Sequence, residues 1–210
     1  MMSVAGVITG DIVDSTKMDE ATRRRCLSAI EACFRAFGDC ANGEIYRGDA
    51  FQVYTSAPDQ LLYMAIKLRL SLLRLEPSAD VRLSLSVAKA TARELPVRMS
   101  NNSEAFLLSG RHLDAMKSER LTFSADDEAF ADDGKMVCSL LDDVMSGLTV
   151  KMAIALDVWI EDSSLSHAEL AEKVGLSRSA FTRVINRANY AKVENVLEWY
   201  QRRYHRYLAG

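Results

Sequence analysis

Proline is scarce in this chain, with 3 in 210 residues, and glycine is limited to 10. Beside a hydrophobic fraction of 49%, that excludes collagen-like, low-complexity and disordered chains. No apolar run approaches the roughly 18–20 residues that span a bilayer. The opening MMSVAGVITGDIV reaches Asp11 before a signal-peptide core can form, so a cytoplasmic location without a membrane partner is expected. Cys26, Cys33, Cys40 and Cys138 form no C-x-x-C pair, so a zinc site or disulfide framework lacks its spacing and buried, reduced thiols are expected. The length excludes a sizeable repeat solenoid and admits one domain, or a medium domain with a small appendage.

Charge is present in both signs, 26 Lys+Arg against 29 Asp+Glu, but it is unevenly shared. Up to Asp162 there are 18 basic and 25 acidic residues; from Ser163 onward there are 8 and 4. A basic segment behind an acidic one suggests a module for a polyanion attached to one that avoids it.

Hydrophobic periodicity supplies the order of elements. Residues 4–9 read as a buried strand ending at Gly10-Asp11. Leu27, Ile30, Phe34 and Phe37 recur at helical spacing, with Gly38 as the stop. Two strand-like runs, 44–47 and 51–55, flank Gly48-Asp49-Ala50 as a hairpin would. Pro58-Asp59 opens a second helix carrying Leu61, Leu62, Ala65, Leu68 and Leu72, which stops near Pro77. Val81, Leu83, Leu85 and Val87 then alternate with Arg82, Ser84, Ser86 and Ala88 at the strand period. The fold class is therefore α+β, in the ferredoxin-like β-α-β-β-α-β order with helices on one face of the sheet. A helix over 104–117, a strand at 121–123, an acidic surface loop over 125–135 and a helix over 142–160 complete the expected body. As an organisation this gives an α+β domain over 1–135, a connecting helix over 136–162 and a small all-α domain over 163–210.

In that arrangement the end of the first strand and the hairpin turn lie side by side, so Asp11 and Asp49 face one patch. Paired carboxylates are hard ligands for Mg²⁺ or Mn²⁺, and amides of Val13, Asp14, Ser15 and Thr16 at the following helix start suit phosphate groups. Gly-Asp is equally a common turn dipeptide.

Gly10-Asp11-Ile12-Val13-Asp14-Ser15-Thr16 followed by Arg47-Gly48-Asp49-Ala50-Phe51-Gln52 resembles the paired motifs of the SatD-like family of bacterial proteins, which are themselves similar to class III nucleotidyl cyclases. The resemblance covers about residues 4–123 and implies a cyclase-like domain followed by a helix-turn-helix. It implies metal ions on Asp11 and Asp49 with the Ile12 carbonyl assisting, a nucleotide ligand, and Arg111 as the group that stabilises transition-state charge. The chain departs from the cyclase pattern at three positions. Leu107 stands where an Asn donor belongs, Ile45 where many cyclases place a base-reading Lys, and Asp14 where a Gly lies beside the phosphates. Loss of a transition-state donor costs about two to three orders of magnitude in rate, so ligand binding without fast turnover is expected ahead of cyclisation.

The last stretch differs in kind. Ser166 and Ser177 can cap two short helices separated by a turn at Gly175-Leu176, a helix-turn-helix pattern. Leu170, Ala171 and Val174 would pack on Phe181, Val184 and Ile185. The exposed face of the second helix carries Arg178, Ser179, Thr182, Arg183 and Asn186, with Arg187 near its end, side chains suited to the DNA major groove. Beyond it, Tyr190, Val193, Leu197, Tyr200, Tyr204 and Tyr207 form a narrow seam, fit either for a homodimer or for packing on the same chain. Three readings stand: a regulator that binds DNA and senses a nucleotide or metal, a divergent nucleotidyl cyclase, and a protein-docking scaffold.

Overall fold

The computed structural model describes residues 3–46, 48–90 and 104–209; Arg47 of the second motif lies outside them. The elements run β1 (Ser3–Ile12), α1 (Glu20–Ala36), β2 (Ala41–Tyr46), β3 (Ala50–Thr55), α2 (Leu61–Leu73), β4 (Val81–Ala90), α3 (Glu104–Ala115) and β5 (Leu121–Ala125). Five helices follow: α4 (Glu128–Ser146), α5 (Val150–Glu161), α6 (His167–Lys173), α7 (Arg178–Arg187) and α8 (Tyr190–Ala209). The sheet order is β2-β3-β1-β4-β5, antiparallel except that β4 and β5 run parallel. The first four strands thus realise the split β-α-β-β-α-β arrangement, and the fold is α+β.

Strand alternation assigns two faces. Ile8 and Ile12 of β1 and Leu83, Leu85 and Val87 of β4 join Cys26 and Ile30 of α1 and Leu62, Ile66 and Leu70 of α2 in the main core. Ala5 and Val7 point the other way, into a smaller cluster with Ala88 and with Ala105 and Phe106 of α3. The helices therefore lie on both faces, not one. Ser84 and Ser86 of β4 are fully buried beneath α3, with the Ser86 hydroxyl donating to the Ala105 carbonyl at 2.5 Å. A polar face on an alternating strand reads as solvated, yet here short hydroxyls bond to a covering helix.

The acidic stretch expected to be a loop over 125–135 enters α4. Asp127 caps it, accepting from the Phe130 amide at 2.7 Å, and Phe130, Gly134, Cys138, Leu141 and Met145 form its buried face. The single connecting helix expected over 136–162 is two helices, because α4 ends at Gly147 and Thr149 caps α5. Helix α2 is buried on nearly every side, and its charged residues are satisfied by ion pairs. Arg69, fully buried, donates to both oxygens of Asp80 at 2.9 Å and to Asp142 at 2.6 Å. Lys67 reaches Asp157 at 2.5 Å and Glu161 at 2.8 Å, and Arg74 pairs with the other oxygen of Asp157. These contacts fix α5 against α2.

The tyrosine seam packs on the chain itself. Tyr200 and Tyr204 are buried, and Tyr200 lies against Phe123 and Phe130 with ring centroids 6.0 Å apart in each case. The Arg203 guanidinium sits 5.0 Å over the Phe130 ring and pairs with Asp133 at 2.9 Å. That burial removes the seam as a surface for a second copy. Among the described residues, no helix is long and apolar enough to cross a membrane, and Cys26, Cys33 and Cys138 are buried free thiols while Cys40 is half-buried.

Candidate functional site

Cross-strand register builds a cleft on the α3 face of the sheet. Tyr46, Ala50, Asp11 and Arg82 lie in one row across β2, β3, β1 and β4, and Glu44, Gln52, Thr9 and Ser84 lie in the next. The cleft has a volume of about 640 Å³, within the range of small-molecule sites. Thr9, Asp11, Tyr46, Ala50 and Gln52 form its floor, and Phe106, Leu107, Gly110, Arg111, Leu113 and Asp114 of α3 form its wall.

The floor is held by a chain of hydrogen bonds. Gln52 Nε2 donates to Thr9 Oγ1 at 3.2 Å, Thr9 Oγ1 lies 2.5 Å from Ser109 Oγ, and Ser109 donates to the Ser84 carbonyl at 3.0 Å. A hydroxyl carries one proton, so with Ser109 committed to that carbonyl the Thr9 hydroxyl is the donor between the two. This fixes the Gln52 carboxamide with its nitrogen inward. Gln52 is 6% exposed, and its Oε1 accepts no hydrogen bond among the described residues. Ser84 Oγ, directly across from Thr9, is buried without a partner among the described residues.

The predicted metal ligands are both engaged. Arg82 Nε donates to Asp11 Oδ1 at 2.8 Å and its Nη2 donates to Oδ2. The Asp49 carboxylate accepts from the Ser15 hydroxyl. The hydrogen bond to Asp11, against a smaller opposing effect of burial, raises the Arg82 pKa, and the charges of Asp11, Asp114 and Asp49 add to the rise. Ile12 closes β1 with its side chain in the core. No group of three or more His, Cys, Asp or Glu able to hold a metal ion is gathered among the described residues. With one carboxylate forked onto a guanidinium and the other on a hydroxyl, the set as arranged does not fit Mg²⁺ or Mn²⁺.

The predicted phosphate cradle is also changed. A single 3₁₀ turn, Ser15–Lys17, follows β1, and α1 starts only at Glu20 behind its Asp19 cap. The Val13 amide donates to the Asp80 carbonyl at 3.0 Å, which withdraws it from any ligand. Asp14 adopts a left-handed conformation with φ 53° and pairs with Lys17 at 2.8 Å. The hydrogen bond from that ammonium holds the Asp14 carboxyl below the usual carboxylate range, so the charge that stands in place of a Gly carries its own counterion. Arg111 lines the cleft and makes no hydrogen bond or ion pair among the described residues. Leu107, one turn earlier, is 44% exposed along the same wall.

Thr9, Arg82 and Asp114 lie outside the two motifs, and Gln52, which ends the second, was assigned no role from it. The signal for Arg82 was present: the split arrangement makes β1 and β4 neighbours, and Arg82 belongs to the same alternating set as the polar serines.

The C-terminal candidates lie on α6 and α7. Ser166 and Glu169 form a capping box at α6, Gly175 makes the turn with φ +69°, and Ser177 caps α7 by accepting from the Ala180 amide at 3.2 Å. Leu170 and Ala171 pack with Phe181 and Ile185 in the core. Arg178, Ser179, Arg183, Asn186 and Arg187 are exposed. Thr182 is half-buried, its hydroxyl 3.0 Å from His167 Nδ1, so it serves the contact between the two helices. None of the guanidinium groups of Arg178, Arg183 and Arg187 is paired among the described residues.

No protein-family profile matches the chain, and no curated protein sequence matches it either. Among solved structures it is similar to a bacterial light-regulated adenylyl cyclase, at 12% identity over 59% of this chain and 77% of that one, with a TM-score of 0.44. A second structure of a bacterial light-regulated adenylyl cyclase is similar at 14% identity and a TM-score of 0.41, and 59% of this chain spans 44% of that one.

Proposed function

We propose that this chain is a DNA-binding regulator of the bacterial cytoplasm, related to the SatD-like proteins through its two motifs, in which α7 enters the major groove and the cleft over the sheet takes an anionic ligand of the nucleotide class. The observation that carries the DNA reading is the division of α7 into two faces. Phe181 and Ile185 anchor it in the core, while Arg183, Asn186 and Arg187 project from the other side and Arg178 is exposed at its first turn, the guanidinium groups with no partner among the described residues. Unpaired cations on a rigid helix that follows a turn match how a recognition helix contacts phosphates and base edges. Arg111, free at the mouth of the cleft among the described residues, supports an anion there, and the Gln52 acceptor on its floor supports a ligand with N–H or O–H donors.

The test is duplex affinity measured by fluorescence anisotropy across a salt series. Each arginine that no longer neutralises a phosphate lowers the log-log salt slope by about 1. Arg178→Ala, Arg183→Ala and Arg187→Ala together are expected to flatten the slope by about 2–3; an unchanged slope discards α7 as the interface.

A divergent cyclase is the second reading, favoured by Asp11 and Arg111 lining one cleft. It is checked by incubating the protein with Mn²⁺ and each nucleoside triphosphate, where absence of any cyclic product removes it.

A further inference from the structure

We infer that Arg82 is the cleft's resident cation, and that its fork onto Asp11 keeps divalent metal out of the site. The inference goes beyond the DNA and ligand readings and does not depend on either. It rests on three observations. The Arg82 Nε and Nη2 groups take one lone pair on each oxygen of Asp11, so a metal reaches that carboxylate only beside a guanidinium already forked onto it, or by displacing the fork. Asp11 is 20% and Arg82 31% exposed, so the pair is partly shielded from water and its attraction is less screened than that of a surface pair. Asp49, next to the Ala50 that faces Asp11 across the strands, and Asp114 on the wall of the cleft both act on the same guanidinium.

One guanidinium is therefore bound to Asp11 and lies within the field of two further carboxylates. A dication binding Asp11 has to displace Arg82 or share the carboxylate with it, and either way a doubly charged ion comes to lie beside a half-buried planar cation. Both the broken bidentate pair and the new repulsion oppose entry. With Arg82 replaced by a neutral side chain, Asp11 loses its counterion while the charges of Asp114 and Asp49 remain nearby, and a hard cation is the natural relief.

The experiment titrates the full chain with Mn²⁺ alone, reading free ion by electron paramagnetic resonance, and compares wild type, Arg82→Gln, Asp11→Asn and the Arg82→Gln/Asp11→Asn pair. The quantity of interest is the part of the affinity that Asp11→Asn abolishes. We expect no such part in the wild type up to about 1 mM, and a gain of at least about tenfold in Arg82→Gln that the paired substitution removes. Micromolar binding by the wild type that Asp11→Asn abolishes overturns the inference. So does a folded Arg82→Gln protein whose Asp11-dependent affinity stays within about tenfold of wild type. Should Arg82→Gln fail to fold, Arg82→Lys keeps the charge but loses the fork; at least about threefold tighter Asp11-dependent binding is then expected, and no gain counts against the inference.

Discussion

The Tyr200 hydroxyl donates to the Pro58 carbonyl at 2.8 Å, joining the last helix to the turn that opens α2 across 142 positions of sequence. Both partners are buried. The Pro58 carbonyl also accepts from the Leu61 amide, so removing the hydroxyl takes away one of its hydrogen bonds, whereas the ring itself keeps its contacts. Tyr200→Phe is expected to lower unfolding free energy by about 0.5–1.5 kcal/mol, seen as a lower urea midpoint at unchanged slope. An unchanged midpoint excludes this contact as an anchor of α8.

Gly134 tests packing against propensity. A methyl group there falls 2.1 Å from Cδ1 of Phe123, a ring wedged against Phe130 and Tyr200. Alanine favours a helix interior over glycine by about 1 kcal/mol, but overpacking costs about 1–3 kcal/mol. Gly134→Ala is therefore expected to destabilise the protein, by thermal melting or urea titration, although it improves α4 as an isolated helix. A raised melting temperature would show that Phe123 yields freely.

Alkaline pH is expected to weaken the hold on α8. Burial raises the Tyr207 hydroxyl pKa, and its 2.7 Å hydrogen bond to the Asp126 carboxylate raises it further. A group whose pKa is raised on folding lends stability that is fully present below its unfolded value, about 10 for Tyr, and loses it as pH climbs through the folded value. Lys67 acts in the same direction: burial opposes its charge, but hydrogen bonds to Asp157 and Glu161 outweigh it and raise the pKa. Unfolding free energy is expected to fall from about pH 10 upward, and Tyr207→Phe to make that decline shallower. A decline of identical steepness in the variant assigns the effect elsewhere.

Asn186 and Arg183 are expected to separate sequence reading from general attraction. On a selected duplex, Asn186→Ala costs about 1–3 kcal/mol if the amide reads a base edge, with little change on an unrelated duplex. Arg183→Ala weakens both alike if it meets phosphate. Competition binding with the two duplexes measures the difference, and equal losses for Asn186→Ala on both remove it as a reader.

The strand order was legible because β1, β3 and β4 each bury one alternating set of large apolar residues, and because turn glycines and Pro58 punctuate them. What covers the second face was not legible: Ser84 and Ser86 look solvated in sequence, since periodicity separates the faces of a strand without naming the partner of each. Helix α4 was hidden differently. Phe130, Gly134, Cys138, Leu141 and Met145 step at helical spacing, but the surrounding acids Asp126, Asp127, Asp132 and Asp133 suggested a loop, and one of them is the cap. Of the residues named from the motifs, Asp11 and Arg111 line the cleft, while Asp49 is not among its lining residues. The ion pair that occupies Asp11 was missed, as a motif marks residues by type whereas Arg82 reaches its partner only through register.

Tyr190, at the start of α8, touches Trp159 and His167 at 5.3 and 5.8 Å between ring centroids, while Tyr207 near its end lies 5.4 Å from Phe130. With 20 residues at about 1.5 Å each, the helix is a rod about 30 Å long. Pivoted at its Phe130 end by roughly 5°, a lever of that length swings its far tip through about 2–3 Å, comparable to the reach of a hydrogen bond. One rigid element thus spans the distance between the Phe130 cluster and the aromatic contacts beside the helix pair that carries the exposed arginines.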